Sequence, residues 1–422
     1  MKISAGAVIG LVLCLGASAC GDDGAADDAT VDASTGSGDG AEASTGAPET
    51  GLDADESGTT GPVAICGDGF VEGDEVCDDA NPVDGDGCNV DCFESGSLRW
   101  SVTLEDDSRK VRSGRAVVVA AGDTIVVQQN TADEQLGPET GYWIAGLDAA
   151  DGTEAWRTTI EGYGGAVPRS TIVAVGDDRV VVAEASGEGP RLAMYEAGAL
   201  VWRSTALGEQ VWMASMSATE RPVAGIVVAT ASAGMDHQLL QYDLQGEVVE
   251  TIALPPPEPP ATLNTFEFVA RDGDITYVAG AEIARGLFQP AFRAYEGASL
   301  SWGYVDAISA GVGYQAMALD PNGDPWLHDS ERLVRPGPDG RTVIVDTGYT
   351  AARDLVIDAD GNLLRVVVVE DIGAQLEKRS VDMKVSWTVA VNTLVSLAVT
   401  RPGDAVVADS DGMAITVRAF RP

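Results

Sequence analysis

From about Ser97 onward the apolar residues fall into paired β-branched runs parted by a turn. They are AVVVAAGDTIVVQQ, TIVAVGDDRVVVAEA, FEFVARDGDITYVAG, AMALDPNGDPWLH, LVIDADGNLLRVVVV and LAVTRPGDAVVADS, with MASMSATERPVAGIVVATA an irregular member. Each pair predicts two strands joined by a tight turn. A third strand ending in its own turn follows most pairs: YWIAGLDAADG, RLAMYEAG, QLLQYDLQG, PAFRAYEG, RLVRPGPDG and LEKRSVDM. The fourth strand carries a tryptophan in LRWSVTL (Trp100), TEAWRTTI (Trp156), LVWRSTAL (Trp202), LSWGYVDA (Trp302) and VSWTVAV (Trp387). EVVETIAL around Val249 and RTVIVDTG around Val343 fill the two gaps, so the mean spacing from Trp100 to Trp387 is near 48 residues, (387 − 100)/6.

Four-stranded units repeated at this period predict an all-β fold, a β-propeller. The continuous apolar runs suit strands covered on both faces by neighbouring blades. The order of the ends predicts how the ring closes. Leu98–Leu104 has the pattern of a fourth strand without three before it, and the chain stops with a third-type strand, Ala414–Phe420. The first would complete the blade of the second, which gives seven blades, or six or eight if a weak copy is miscounted.

The string LDAADGTEAW, Leu147 to Trp156, is similar to the repeat of pyrroloquinoline-quinone-like propellers. That resemblance implies one of two activities: a quinoprotein dehydrogenase, or a lipid-anchored scaffold like the one that serves outer-membrane assembly. The dehydrogenases of that superfamily typically have eight blades, a calcium ion beside the quinone, a catalytic aspartate and often adjacent cysteines over the cofactor. Residues 97–422 contain no cysteine. The expectation is therefore a propeller without catalytic residues or a cofactor, acting as a binding or scaffold module; the alternative is a quinone-dependent or glycan-active enzyme.

The chain opens MKISAGAVIGLVLCLGASAC, with one cation at Lys2, an apolar run from Ala5 to Leu15 and small residues before Cys20. This is an export signal, too short to span a bilayer that needs about 20 apolar residues. Ala17-Ser18-Ala19-Cys20 resembles the bacterial lipobox, although Ala17 stands where leucine is usual. The resemblance implies cleavage after residue 19, a diacylated Cys20 and attachment to the envelope through that lipid; ordinary cleavage would instead give a secreted chain. Residues 21–65 hold eleven acids and no lysine, arginine or aromatic residue, the composition of a disordered acidic tether.

Of the 66 acids, twenty lie in residues 21–93, where there is no base. The remainder still carries 46 acids against 25 bases, about −21 of the formal −40. A surface so negative excludes nucleic acid as a partner, since phosphate binding needs clustered Lys and Arg.

CGDGFVEGDEVCDDANPVDGDGCNVDC, Cys66 to Cys92, packs four cysteines and nine carboxylates together. Outside the cytoplasm these cysteines would be oxidised, and Cys66, Cys77, Cys88 and Cys92 admit three pairings that sequence does not choose among. With only Phe70, Val71, Val76, Val83 and Val90 as larger apolar side chains, the segment cannot fold on burial alone. Its pattern resembles the small cysteine-rich disulfide repeat of myxobacterial surface proteins, with Ala80 in place of the usual glycine before Asn81. Asp78, Asp79, Asn81, Asp84, Asp86 and Asp91 are candidate calcium ligands, although the closing glutamate of an EF-hand is missing. The domain order expected is a signal at 1–19, a tether at 20–65, this module at 66–93 as an independent bead, and the propeller at 97–422.

Candidate chemistry in the propeller is sparse. His237 and His328 are its only histidines and are placed at strand ends or loops. Asp358-x-Asp360-Gly361 and Asp409-x-Asp411-Gly412 fall where hairpins must turn. Pro255–Pro260 reads as a stiff connector between blades. The connections entering each inner strand would line one mouth of the channel, where Tyr163, Trp212, Tyr314 and Tyr349, with Arg109 and Arg112, are the candidate contacts for a protein or glycan partner.

Overall fold

The computed structural model describes residues 65–73, 75–84, 86–105, 116–131, 141–161, 172–186, 188–208, 211–219, 224–232, 237–254, 261–284, 287–305, 313–329, 332–338, 340–346, 354–369, 373–392, 395–410 and 414–422. Among them every regular element is a strand. After β1 (Leu98–Glu105), the first blade holds β2 (Val117–Ala121), β3 (Thr124–Thr131), β4 (Gly141–Asp148) and β5 (Glu154–Glu161). The second holds β6 (Ile172–Ala174), β7 (Arg179–Ser186), β8 (Gly189–Glu196) and β9 (Ala199–Arg203). In the third are β10 (Val211–Thr219), β11 (Gly225–Ser232), β12 (His237–Asp243) and β13 (Val248–Ala253). The fourth comprises β14 (Ala261–Asp272), β15 (Ile275–Ala284), β16 (Leu287–Glu296) and β17 (Ser299–Val305). The fifth has β18 (Ala316–Leu319), β19 (Pro325–His328), β20 (Arg332–Gly337) and β21 (Gly340–Asp346), and the sixth β22 (Leu355–Ile357), β23 (Leu363–Val369), β24 (Gly373–Arg379) and β25 (Val385–Val391). Last come β26 (Val395–Val399), β27 (Ala405–Ser410) and β28 (Ala414–Phe420).

These strands make seven four-stranded antiparallel sheets, and the seventh runs β26-β27-β28-β1. The N-terminal strand thus completes the last blade, as the order of patterns predicts. Each first strand neighbours the first strands of the blades on either side, with β26 beside β2, so the ring is closed.

There is no single core. Buried apolar side chains form seven seams, one between each pair of adjacent blades. The period of two explains this. Along β3, Ile125 and Val127 enter the seam with the seventh blade while Val126 between them enters the seam with the second. A strand covered on both faces must be apolar at every position, which is why the sequence shows runs instead of alternation. Each fully buried branched residue contributes roughly 1.5–3 kcal/mol of transfer free energy, so the ring's stability is distributed over its seams.

The fourth strands form the outer edge, and all but one are irregular in the same way. In six of the seven blades one residue just before the tryptophan position is bulged out of register with the third strand: Arg99, Ala155, Val201, Val249, Ser301 and Ser386. In the fifth blade the slip comes at Ile344. A bulge raises the local twist and spoils an edge as a template for another chain. The residue after it lies against the next blade. Rings of Trp100, Trp156 and Trp202 lie over Gly152, Gly198 and Gly246, each in the third-to-fourth-strand turn of the following blade. Trp100 and Trp202 also donate Nε1–H to the carbonyls of Ala149 (2.9 Å) and Leu244 (2.8 Å) in those turns.

In the cysteine-rich module the pairs are Cys66–Cys92 and Cys77–Cys88. Phe70, Val71, Val76, Val83 and Val90 are all exposed, so no apolar core is present and the two bridges are the module's staples. The module differs from the expectation of an independent bead. Arg421, just past β28, pairs with Asp91 at 2.8 Å, and its guanidinium lies 4.0 Å from the centre of the Phe93 ring.

Candidate functional site

The two faces of the ring are built differently. On one, the first-to-second and third-to-fourth strand connections are no longer than five residues, and four of them are capped by aspartates. Asp148, Asp243, Asp320 and Asp358 each accept a hydrogen bond from the backbone N–H two residues on, and the last three accept a second from four residues on. Asp358 therefore serves its turn, as the sequence predicts. Asp409, expected in a turn, lies instead within β27, one residue before its end, and pairs with Arg418 at 2.6 Å, while Asp411 and Gly412 lie outside the described residues. On the other face the connections are of mixed length: 187–188 and 285–286 have two residues, whereas 106–116, 132–140, 162–171 and 306–315 have nine to eleven, longer than any on the first face.

Arg109, Arg112, Tyr163 and Tyr349 lie outside the described residues, as do Cys20 and Pro255–Pro260. The backbone of Trp212 is on β10 opposite Ala231. Tyr314 is 1% exposed and sits in the seam between the fourth and fifth blades, its hydroxyl 2.9 Å from that of Tyr304.

In the module the candidate calcium ligands are hydrogen-bonded to the chain itself. The Asp78 carboxylate accepts from the backbone N–H groups of Gly67 (2.8 Å), Asp68 (3.1 Å), Gly69 (2.9 Å) and Ala80 (2.7 Å). These bonds, led by that from Ala80, hold its pKa below the usual carboxylate range. Asp79 accepts from Cys88 N–H, Asp84 from Val90 N–H and Asp91 from Phe93 N–H. Asn81 accepts from Val83 N–H and donates to Asp86. Among the described residues no group of three His, Cys, Asp or Glu side chains is arranged to hold a metal ion.

The structure also shows charged clusters inside the blades that the sequence pattern does not reveal. Glu184 on β7 is 1% exposed and accepts from Tyr142 Oη (2.7 Å), Arg191 Nε (2.9 Å) and Arg203 Nε (3.0 Å). Burial alone would raise its pKa, yet these donors hold it below the ordinary value. Burial and the Glu184 charge push Tyr142 far above the usual phenol range. A second cluster joins two blades: Arg365 on β23 bonds Glu377 at 2.8 Å and lies 3.1 Å from His328 Nε2 on β19. Arg379 closes on the same glutamate at 2.6 Å. The only signal in sequence is a lone charge inside an apolar run, VVVAEA or LLRVVVV. In each cluster acid and base satisfy one another, which suits a strut better than a proton-transfer site.

One cleft of about 340 Å³ opens between the sixth and seventh blades, lined by Ala390, Val391, Asn392, Asp409, Thr416 and Arg418.

No protein-family model matches this chain, and no curated protein is similar to it. Solved structures are similar in fold. A chain of the mitotic checkpoint complex superposes with a TM-score of 0.51 at 10% identity, covering 78% of this chain and 95% of the other. PorZ, a surface component of the type-IX secretion system of Porphyromonas gingivalis, gives 0.48 at 11% identity over 74% of this chain; the match spans 47% of PorZ, about half its length. BamB from Moraxella catarrhalis gives 0.42 at 13% identity, covering 77% and 99%. At such identities the likeness concerns the fold alone.

Proposed function

We propose that the protein is exported, is held to the cell envelope by a lipid on Cys20, and presents its propeller as a non-catalytic recognition or scaffold module for a protein or glycan partner. The observation that carries the reading is the segregation of long connections to one face of a ring whose other face is tight turns. Variable connections on a rigid scaffold are where recognition surfaces are built. Two disulfides agree with an oxidising compartment. The quinone-enzyme alternative has less support: seven blades stand where that class has eight, and the propeller sequence has no cysteine to cover a quinone.

Photo-crosslinking on intact cells tests the binding face, and detergent-phase partitioning tests the anchorage. A photo-crosslinking residue at Glu188 or Asn392, on the long-connection face, should give a discrete adduct, whereas at Asn322 or Asp360, on the turn face, it should give none. Adducts from both faces alike, or from neither, would reject the recognition reading. Cys20→Ser should move the chain from the detergent phase to the aqueous phase; a variant that stays in the detergent phase is not anchored by that cysteine.

A further inference from the structure

In six blades the third and fourth strands are joined through a turn of their own chain. In the seventh they are β28 and β1, which come from opposite ends of the sequence and share no turn. The bonds of a turn are nevertheless there. In the first blade, Asp148 N–H donates to Thr153 O (2.9 Å) and Gly152 N–H to Asp148 O (2.8 Å); in the third, Asp243 N–H donates to Glu247 O (3.0 Å) and Gly246 N–H to Asp243 O (3.2 Å). In the seventh, Arg421 N–H donates to Ser97 O (2.9 Å) and Gly96 N–H to Arg421 O (3.1 Å). Gly96 has φ +76°, the same as Gly152, and it lies beneath Trp387 of the sixth blade as Gly152 lies beneath Trp100. Two chain segments thus imitate one hairpin turn.

A turn within one chain is held by its own covalent bonds. This one must be held by something else, because bringing unlinked ends together has an entropic cost. The segment that meets it is the cysteine-rich module. Cys88 and Cys92 are buried. Around them Asn89 N–H donates to Phe93 O (2.9 Å), Cys92 N–H to Asn89 O (2.8 Å) and Ser95 N–H to Gly87 O (3.1 Å). Those bonds fix the segment running into Gly96 and Ser97. From it Asp91 and Phe93 grip the Arg421 guanidinium, which donates also to Leu98 O at 3.2 Å.

We propose that the disulfide-bonded module is the clasp of the propeller: it builds the missing turn of the seventh blade, so closure of the ring depends on oxidation of the module. Without its bridges the module has no apolar core to keep Asp91, Phe93 and Gly96 in place. The seventh blade then loses its turn while the other six retain theirs. The same chain is therefore less firmly closed in a reducing compartment than in an oxidising one.

The test is hydrogen exchange on the full chain, with and without dithiothreitol. The reagent passes two electrons and two protons to each S–S bond, giving two thiols, and itself closes to a cyclic disulfide. Reduction should cost β1 and β28 roughly tenfold or more of their exchange protection, with the second to fifth blades unchanged. Arg421→Gln, with both disulfides intact, should weaken the same two strands. Unchanged protection in β1 and β28 after reduction, or a loss spread evenly over all seven blades, would overturn the proposal. So would an Arg421→Gln chain whose β1 and β28 exchange like the wild type.

Discussion

His328 is closed off from solvent by the surrounding chain, and this makes its protonation a matter of stability. It is fully buried at the end of β19, faces the Arg365 guanidinium, and has Asp329 and Glu377 as the nearby anions. Burial first, and the Arg365 charge second, lower its pKa from 6.5 to about 4. Below pH 6.5 the unfolded chain takes up a proton that the folded chain refuses, so the stability from neutral His328 is full above about 6.5 and is lost as the pH falls toward 4. The whole shift corresponds to about 3 kcal/mol, of which about 2 is lost between pH 6.5 and 5. Urea unfolding midpoints at pH 7.5 and pH 5 should therefore move less for His328→Gln than for the wild type. Parallel movement of the two would mean that His328 is already protonated when folded. Sequence places both histidines correctly at strand ends, His328 closing β19 and His237 opening β12. It does not show that Arg365, on a strand of the next blade, seals one of them, because that contact is set by how blades stack.

At the scale of strands and turns, one recurring contact between neighbouring blades is a tryptophan ring of the seam lying on a glycine. Gly152 and Gly297 separate the two demands such a glycine meets. Both occupy the left-handed region, at φ +76° and +54°. A methyl on Gly152 would come within 2.6 Å of the Trp100 ring, whereas one on Gly297 would meet nothing within 4 Å. Gly297→Ala should cost about 1–2 kcal/mol from backbone alone. Gly152→Ala should cost a further 1–3 kcal/mol or so, because the ring must move, and only this variant should change the tryptophan emission of the folded chain. Equal losses would show that the ring gives way freely. The period, the tryptophan positions and the four-strand unit are all legible in sequence, since each is a local pattern of side chains. The bulge before each tryptophan is not, because it is a fault in pairing between two strands. The aspartates of the turns are half legible: their spacing announces a turn, and only the fold shows that one oxygen of each accepts from backbone N–H groups of that turn.

For the whole molecule the question is what closing the ring in the seventh blade requires. The order of strand patterns predicts that β1 completes that blade, and the register Leu98 to Phe420, then Trp100 to Ala419, agrees. The pattern does not reveal the turn at the closing pair, because its two halves, Gly96–Ser97 and Arg421, lie at opposite ends of the sequence. A circular permutant separates closure from clasp. Phe420 can be joined to Leu98 through a short loop copied from Ala149–Thr153, the module deleted, and new ends opened at 338–339 between β20 and β21 of the fifth blade. The seventh blade then has a covalent turn, while the fifth becomes the blade shared by both ends, with no clasp. If the module acts only as a clasp, this chain should fold to the same ring, should melt at the same temperature with or without dithiothreitol, and should melt below the oxidised wild type, because its closing blade is held by strand pairing alone. Its first strands to exchange should be β20 and β21, where the native chain's weak point under reduction is β1 and β28. A permutant that failed to fold until the module was restored at its end would show instead that the module is part of the ring's stability wherever the ring is closed.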